Sequence, residues 1–559
     1  MKVTINGKIV EAKEGETILS VAERNGFQIP TLCFHSDVRI GASCRICVVK
    51  VNDKMIPSCS TKVEVGMDII VNNEEVEKAR KINLELLFSQ HQEECLDCIW
   101  NTNCKMLELA KKYNVEINRF VDRKKNHPVY RFGPSLEFDS SKCIDCRNCV
   151  DICKKQGVEY LEIKGKGHLF EVIPSEKEDK ECVYCGQCII HCPAGAFEAV
   201  GEFEDIEKPF KNEKKTVIFQ IAPSVRSTIG EEFGLEYGTV STKKLVSSLF
   251  KLGAEKVFDV STGADFTTIE ESKEFLERVE KDELPMFTSC CPAWVRFVEF
   301  YYPEFIPNLT TVRSPHIILG SVIKKYYAEK EKIDPQDIMI VSIMPCVAKK
   351  YEIEREELHN NGIKPVDYVM TTREVGRLLK KNKIDLPNVE EKDLDNPFGE
   401  PSESGVTYGA SGGVMQSAFY NISGELAVFE KINNGLKVAN VNFKGKQLKL
   451  AVVHGLGNAK KVLEELKTDP KKYDYVEVMA CYGGCIGGGG QSVPTEEKIR
   501  QKRKEGLCNA SKEREIKKAS DNPYVKKAYE DFLTNEDVLN LCYTRFFQAK
   551  KNDQNKKEN

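Results

Sequence analysis

Cysteines at fixed spacings are the residues of this sequence best suited to chemistry. The chain has 559 residues and 22 cysteines. In a reducing compartment that number argues for bound metal rather than disulfides. Residues 479–491 read MACYGGCIGGGGQ, with Cys481 and Cys485 set among six glycines. Glycine costs backbone entropy, so the run 487–490 points to positive φ angles or to a ligand lying against the backbone. Residues 473–478 alternate in strand fashion, which predicts a strand ending in a Gly-rich turn. α/β folds place their ligands there. Two thiolates beside bare backbone suit a metal cluster bulkier than one ion. Two further stretches carry cysteines: TSCCPAW (288–294, with Cys290 and Cys291) and MPCVAKKYE (344–352, with Cys346).

The first half holds more such groups. Cys33, Cys44 and Cys47, with a distant Cys59, suit a plant-type [2Fe–2S] cluster, although the first gap is longer than in the C-x₄-C-x₂-C run. His91, Cys95, Cys98 and Cys104 follow as H-x₃-C-x₂-C-x₅-C. Helical spacing would put His91 and Cys95 on one face. Four such ligands fit tetrahedral zinc as well as a cluster, so these residues leave the metal open. Cys143, Cys146, Cys149, Cys153 and Cys182, Cys185, Cys188, Cys192 repeat C-x₂-C-x₂-C-x₃-C, and Pro193 follows the second set. In this bacterial ferredoxin spacing the fourth cysteine serves the other cluster. Cys143, Cys146, Cys149 and Cys192 would then hold one [4Fe–4S], and Cys182, Cys185, Cys188 and Cys153 the second. Clusters in sequence form a wire for single electrons, so substrate chemistry must lie further along the chain.

The elements that position these groups change along the sequence. The expected class is multidomain, α+β and α/β. Residues 1–78 read as a small β-rich ferredoxin-like domain with a hairpin at Asn6-Gly7 and a short helix over 16–25. Residues 79–125 are helical, 135–205 carry the ferredoxin repeat, and 208–215 form a charged linker. From Thr216 strands alternate with helices (242–252 and 459–467 among them), which predicts an α/β domain with a largely parallel sheet over 215–545. Residues 546–559 are polar, lysine-rich and expected to be disordered. Net charge is −4 and no apolar run reaches the length of a membrane span. Neither nucleic acid nor a membrane is expected as a partner. The N-terminus opens as a strand and not a signal peptide, which places the chain in the cytoplasm.

The TSCCP, MPCVAKK and MACYGGC stretches together resemble the three signature segments of the [FeFe]-hydrogenase active-site domain. The modules before them resemble that family's accessory domains in the same order, which are shared with the large iron–sulfur subunit of complex I. The resemblance implies iron–sulfur modules followed by an α/β H-cluster domain. It implies three accessory [4Fe–4S] clusters, one of them with His91 as a ligand, and one [2Fe–2S]. Cys291, Cys346, Cys481 and Cys485 would hold the [4Fe–4S] half of the H-cluster, with Cys485 bridging to a two-iron half that bears CO, cyanide and a dithiolate amine. Lys349 and Ser224 would donate to the cyanides and Met344 would line the pocket. Protons would pass from the bridging amine through Cys290, Glu271, Thr310 and Glu274. The reaction implied is H₂ ⇌ 2H⁺ + 2e⁻, with ferredoxin or a similar soluble carrier taking electrons and maturation proteins building the two-iron half.

Some residues depart from familiar members of that family. Ala293 stands where glycine is frequent, Val347 and Ala348 where hydroxyls are common, and His316 where glutamine is common. Loss of hydrogen-bond donors beside a cluster would lower its potential. Cys508 and Cys542 have no cluster spacing. Three rival readings remain. One is the hydrogen-activating subunit of an electron-bifurcating NADH/ferredoxin complex. Another is a hydrogenase-like assembly protein without the two-iron half, which the intact TSCCP, Lys349 and glycine run oppose. The third, a complex I subunit, does not fit the region after Thr216.

Overall fold

The computed structural model describes residues 1–38, 40–91, 95, 98–100, 103–201, 215–551 and 557–558. The expected linker at 208–215 lies outside the described residues except for Lys215. Among the described residues no helix is long and apolar enough to cross a membrane.

Strands Lys2–Ile5 and Lys8–Glu11 pair antiparallel around Asn6-Gly7, with φ of 47° and 78°. Both positive angles are what a two-residue hairpin turn requires. They join a five-stranded sheet backed by helix Ile18–Arg24, which Thr17 caps through its side chain. Val3, Ile5, Val10, Leu19, Val49 and Ile69 form its core.

Helix Glu74–Phe88 follows, capped by Asn73. It ends before His91, so His91 and Cys95 do not share a helix face as their spacing had suggested. Ser89 turns the chain there by donating its hydroxyl to the Leu86 carbonyl at 2.7 Å. In the ferredoxin-like repeat, Arg147 and Gly186 adopt φ of 71° and 66° just before helices Asn148–Lys155 and Gln187–Ile190. Each helix therefore starts on the third cysteine's turn and points it inward.

The C-terminal region differs from the single largely parallel sheet expected. Its strands divide between two sheets. One has four parallel strands, Lys256–Asp259, Thr216–Ile221, Ile338–Met344 and Tyr368–Thr371, in that spatial order. Every residue of Ile338–Met344 is buried, as a central parallel strand requires. The other is mixed: Met286–Phe287, Tyr475–Met479 and Lys446–His454 run parallel, and Leu436–Phe443 and Glu430–Asn433 add antiparallel strands. Helices Thr242–Leu252 and Leu456–Thr468 sit where the periodicity places them.

Part of the expected disordered tail lies on the body. Phe546 packs on the main core and against the Arg355 guanidinium, 5.6 Å from its ring. Ala549 donates its N–H to Glu299 at 3.0 Å. Phe546 supplies an anchor that the polar composition hides, while the adjacent Phe547 is exposed.

Candidate active site

Strand ends of both sheets meet around one cavity. Ser224 follows Thr216–Ile221, Cys290 and Cys291 follow Met286–Phe287, Cys346 follows Ile338–Met344, and Cys481 and Cys485 follow Tyr475–Met479. Ser224, Cys290, Cys291, Met344, Cys346, Lys349, Cys481 and Cys485, all singled out in the sequence, line this cavity together with His316 and Tyr408. Its volume is about 80 Å³. One water needs roughly 10–15 Å³, so the space fits a group of several heavy atoms rather than an ion.

The donors suit such a group. Burial pushes up the thiols of Cys291, Cys346, Cys481 and Cys485, and all but Cys291 are raised further by neighbouring thiols of the set. Backbone N–H groups of Ala348 and Lys349 oppose this at Cys346, which still stands at about 12. Four thiols so raised ionise together only against bound positive charge, which cluster iron would supply.

Lys349 is buried and donates to the Cys290 carbonyl at 3.1 Å and to Glu352 at 2.7 Å. Burial disfavours its ammonium, but Glu352 outweighs that and holds it above its ordinary value. Burial likewise opposes the Glu352 carboxylate, yet Lys349 and His316 bring it down to about 2. His316 donates Nε2 to Glu352 at 2.5 Å, and burial keeps its own pKa down at about 4, so its ring is neutral. The expected surroundings of Lys349 included neither Glu352 nor this role for His316.

The glycine run has a different cause from a ligand alone. A Cβ at Gly488 would sit 2.1 Å from the Pro345 carbonyl oxygen, and one at Gly487 2.3 Å from that of Tyr482. A Cβ at Gly489 would meet Gly186 Cα at 2.6 Å. Close approach of other backbone excludes side chains here, while the positive φ angles fall earlier, at Gly483 and Gly484. Gly489→Ala is therefore expected to cost about 1–3 kcal/mol by overpacking. A lowered thermal melting temperature checks it; an unchanged one contradicts the close packing.

This contact joins the cavity to the ferredoxin-like repeat. Gln187 donates to the Gly487 carbonyl at 3.1 Å, and Cys481 Sγ lies 3.9 Å from the Cys185 carbonyl oxygen. Burial and the thiols of Cys185, Cys182, Cys153 and Cys192 raise Cys188. Burial and the thiols of Cys143, Cys146, Cys192 and Cys188 raise Cys149. The two expected sets are thus neighbours, linked between Cys149 and Cys188. Beyond them the arrangement branches. On one side Ser43, beside Cys44, donates to the Cys146 carbonyl at 3.5 Å. Cys33, Cys44, Cys47 and Cys59 are all free thiols: Cys33 donates its N–H to Cys44 Sγ at 3.5 Å, and the side chains of Cys47 and Cys59 are hydrogen-bonded. On the other, Trp100 donates to the Cys192 carbonyl at 2.8 Å, and His91 Nδ1 donates to that of Lys142 at 2.8 Å. That bond leaves Nε2 as the His91 nitrogen able to ligate a metal. Cys98 and Cys104 flank the same region, and Cys95 is among the described residues.

The expected relay residues are partly connected. Thr310 donates to Glu274 at 2.8 Å, and Arg278 donates to the same carboxylate at 2.7 and 2.9 Å. Glu271 is buried and accepts from Tyr475, a residue that sequence reading did not single out. Burial above all raises Glu271 to about 8. Among the described residues no direct hydrogen bond joins Glu271 to Cys290 or to Thr310.

Comparison with known proteins agrees with this geometry. Residues 215–489 match the C-terminal domain of the iron-only hydrogenase large subunit. Residues 1–74 match a 2Fe-2S iron–sulfur cluster binding domain, 80–119 the NADH-ubiquinone oxidoreductase-G iron–sulfur binding region, and 134–196 a 4Fe-4S dicluster domain. Iron hydrogenase 1 of Clostridium pasteurianum is 35% identical over 95% of this chain and 96% of its own length. The chain belongs to the iron-only, or [FeFe], hydrogenase family. A second such relative, the NADP-reducing hydrogenase subunit HndD of Solidesulfovibrio fructosivorans, is 35% identical over 99% of both chains. A solved apo [FeFe]-hydrogenase of Chlamydomonas reinhardtii superposes with a TM-score of 0.56 at 32% identity, over 62% of this chain and 98% of that one. Residues 497–539, within the region the sequence assigns to the catalytic domain, match the iron hydrogenase small subunit. In this hydrogenase the segment braces the loop that carries Cys485: Arg503 is fully buried, pairs with Glu231, and donates to the carbonyls of Ile486 at 3.1 Å and Ser492 at 2.8 Å.

Proposed function

We propose that this hydrogenase catalyses H₂ ⇌ 2H⁺ + 2e⁻ at an H-cluster held by Cys291, Cys346, Cys481 and Cys485. The observation that carries the reading is the meeting of those four thiols, Cys290 and buried Lys349 on one cavity. When bound, the two-iron half, with its CO, cyanide and dithiolate amine ligands, supplies the place where the H–H bond is made or broken. Cys485 would hold it to the protein. Lys349, fixed by Glu352, would offer its ammonium to an anionic ligand of the bound group, a charge-assisted bond in a dry pocket. Ser224 would offer a hydroxyl in the same way, and Met344 would fill the wall. Cys290 would hold the proton at its thiol. Glu271 takes it on, and Thr310 and Glu274 carry it outward, with bridging water completing the links that no direct bond makes.

Three accessory [4Fe–4S] clusters and one [2Fe–2S] would move electrons. The Cys182, Cys185, Cys188, Cys153 set is nearest the cavity. The Cys143, Cys146, Cys149, Cys192 set is the junction where the [2Fe–2S] and His91 branches meet. Maturation proteins in the cytoplasm would install the two-iron half. Ferredoxin is the simplest electron carrier. A second reading, a subunit of a multi-subunit NAD(P)-linked hydrogenase, is favoured by the match to HndD along both full chains. Matured chain alone is expected to evolve H₂ from reduced ferredoxin. Failure with ferredoxin, and activity restored only by flavin-containing subunits, would support the second reading.

Val347 and Ala348 follow Cys346 directly and are fully buried. Val347→Thr or Ala348→Ser adds a donor there and is expected to raise the potential of the adjoining cluster. An unchanged potential in spectroelectrochemistry would sink this.

A further inference from the structure

The two relay carboxylates are held very differently. Glu274 accepts from Arg278, Thr310 and Thr311, the last giving both its N–H and its hydroxyl at 2.9 Å. Its position is overdetermined. Glu271 accepts from one side chain, Tyr475, on Oε1. Among the described residues no protein donor is recorded on Oε2.

Tyr475 is itself held on several sides. It opens strand Tyr475–Met479 and is paired on both sides, to Met286 and to Leu450. Its ring stacks on Phe275 with centroids 4.7 Å apart and planes 25° from parallel. Phe275 lies one turn beyond Glu271 on helix Val260–Lys281, so one helix supplies both the ring contact and the carboxyl. Phenylalanine at 475 would satisfy the packing. The hydroxyl's recorded partner is Glu271, and a buried hydroxyl is costly without one.

We propose that Tyr475 is a positioning residue of the proton relay: its hydroxyl holds Glu271 by Oε1 and leaves Oε2 as the oxygen that receives and releases the proton. The proposal rests on the hydrogenase reading for its consequence, but the hydrogen bond can be tested without turnover. The charged and titratable groups that face Glu271 are Tyr475, Glu274, Glu477 and Arg278, with Cys290 and Tyr408 from the cavity side. Of these, Tyr475 bonds to it directly. That bond favours the ionised carboxylate, so its loss moves titration to higher pH.

The test compares wild type, Tyr475→Phe and Glu271→Gln. In protein lacking the two-iron half, infrared difference spectra across pH report the carbonyl band of protonated Glu271, identified by its loss in Glu271→Gln. Tyr475→Phe is expected to displace this band and to move its titration up by about one to two pH units, the scale of a hydrogen bond to a charged group. In matured protein the pH–turnover profile of Tyr475→Phe is expected to move the same way. A band and profile that superpose on wild type would overturn the proposal while leaving the relay in place. Full turnover in Glu271→Gln would overturn the relay and this proposal with it. Absence of turnover in every matured sample, with the band displaced in Tyr475→Phe, would uphold the positioning and count against the hydrogenase reading alone.

Discussion

Glu271→Gln is expected to lower hydrogen turnover by at least about 100-fold while the cluster spectra stay unchanged. A positioned proton-transfer group contributes roughly 10²–10⁴ to rate, and glutamine keeps the shape but carries no exchangeable acid proton. The effect has a pH signature. Burial raises Glu271 to about 8, so it is mostly protonated at neutral pH. Hydrogen evolution needs it as a donor, so evolution falls as pH rises through about 8. Hydrogen oxidation needs it ionised to accept a proton, so oxidation rises through the same range. Glutamine at 271 removes both dependences. Rate profiles in the two directions, with infrared spectra confirming an intact cluster, check this. A wild-type profile in the variant would remove Glu271 from the relay.

Cys485→Ala is expected to abolish turnover and the cyanide and carbonyl infrared bands together. Cys485 is the one residue assigned to both halves of the H-cluster, so its loss removes the covalent hold on the two-iron half. Gly484, with φ of 92° and a Cβ position 2.5 Å from the Ser411 backbone nitrogen, fixes where Cys485 emerges. No other side chain of that loop can take its place without rebuilding the backbone. The accessory clusters use other cysteines, and their paramagnetic signals are expected to persist. Cys508→Ala, on the outer helix Glu497–Lys512, is expected to leave turnover and spectra as in wild type. Retention of the bands in Cys485→Ala would show that shape and hydrogen bonds alone hold the two-iron half.

The parts of this molecule legible in its sequence were local ones. Cysteine spacing identifies ligand sets because a cluster is a few ångströms across and demands short, fixed loops. The Asn6-Gly7 hairpin and helix Thr242–Leu252 follow from turn chemistry and period. What stayed hidden depends on contacts far apart in the chain. Tyr475 lies 204 residues from Glu271, and Tyr–Val alternation in a strand predicts only burial. Gly489 against Gly186 is a domain contact, which glycine content alone cannot distinguish from a ligand cradle. The division of strands between two sheets, and the branching around Cys146 and Cys192, are properties of packing that no spacing carries. Arg503 lies in a polar helix, and its burial is set by the carbonyls of the cavity loop that it satisfies.

Infrared spectroscopy of anaerobically matured protein, with hydrogen turnover measured on the same sample, bears on the whole mechanism at once. A hydrogenase with an H-cluster in this cavity shows cyanide and carbonyl bands together with turnover. Absence of those bands, after maturation that succeeds on a control [FeFe]-hydrogenase, would mean that the four thiols hold a cluster without the two-iron half and that the chain does other work.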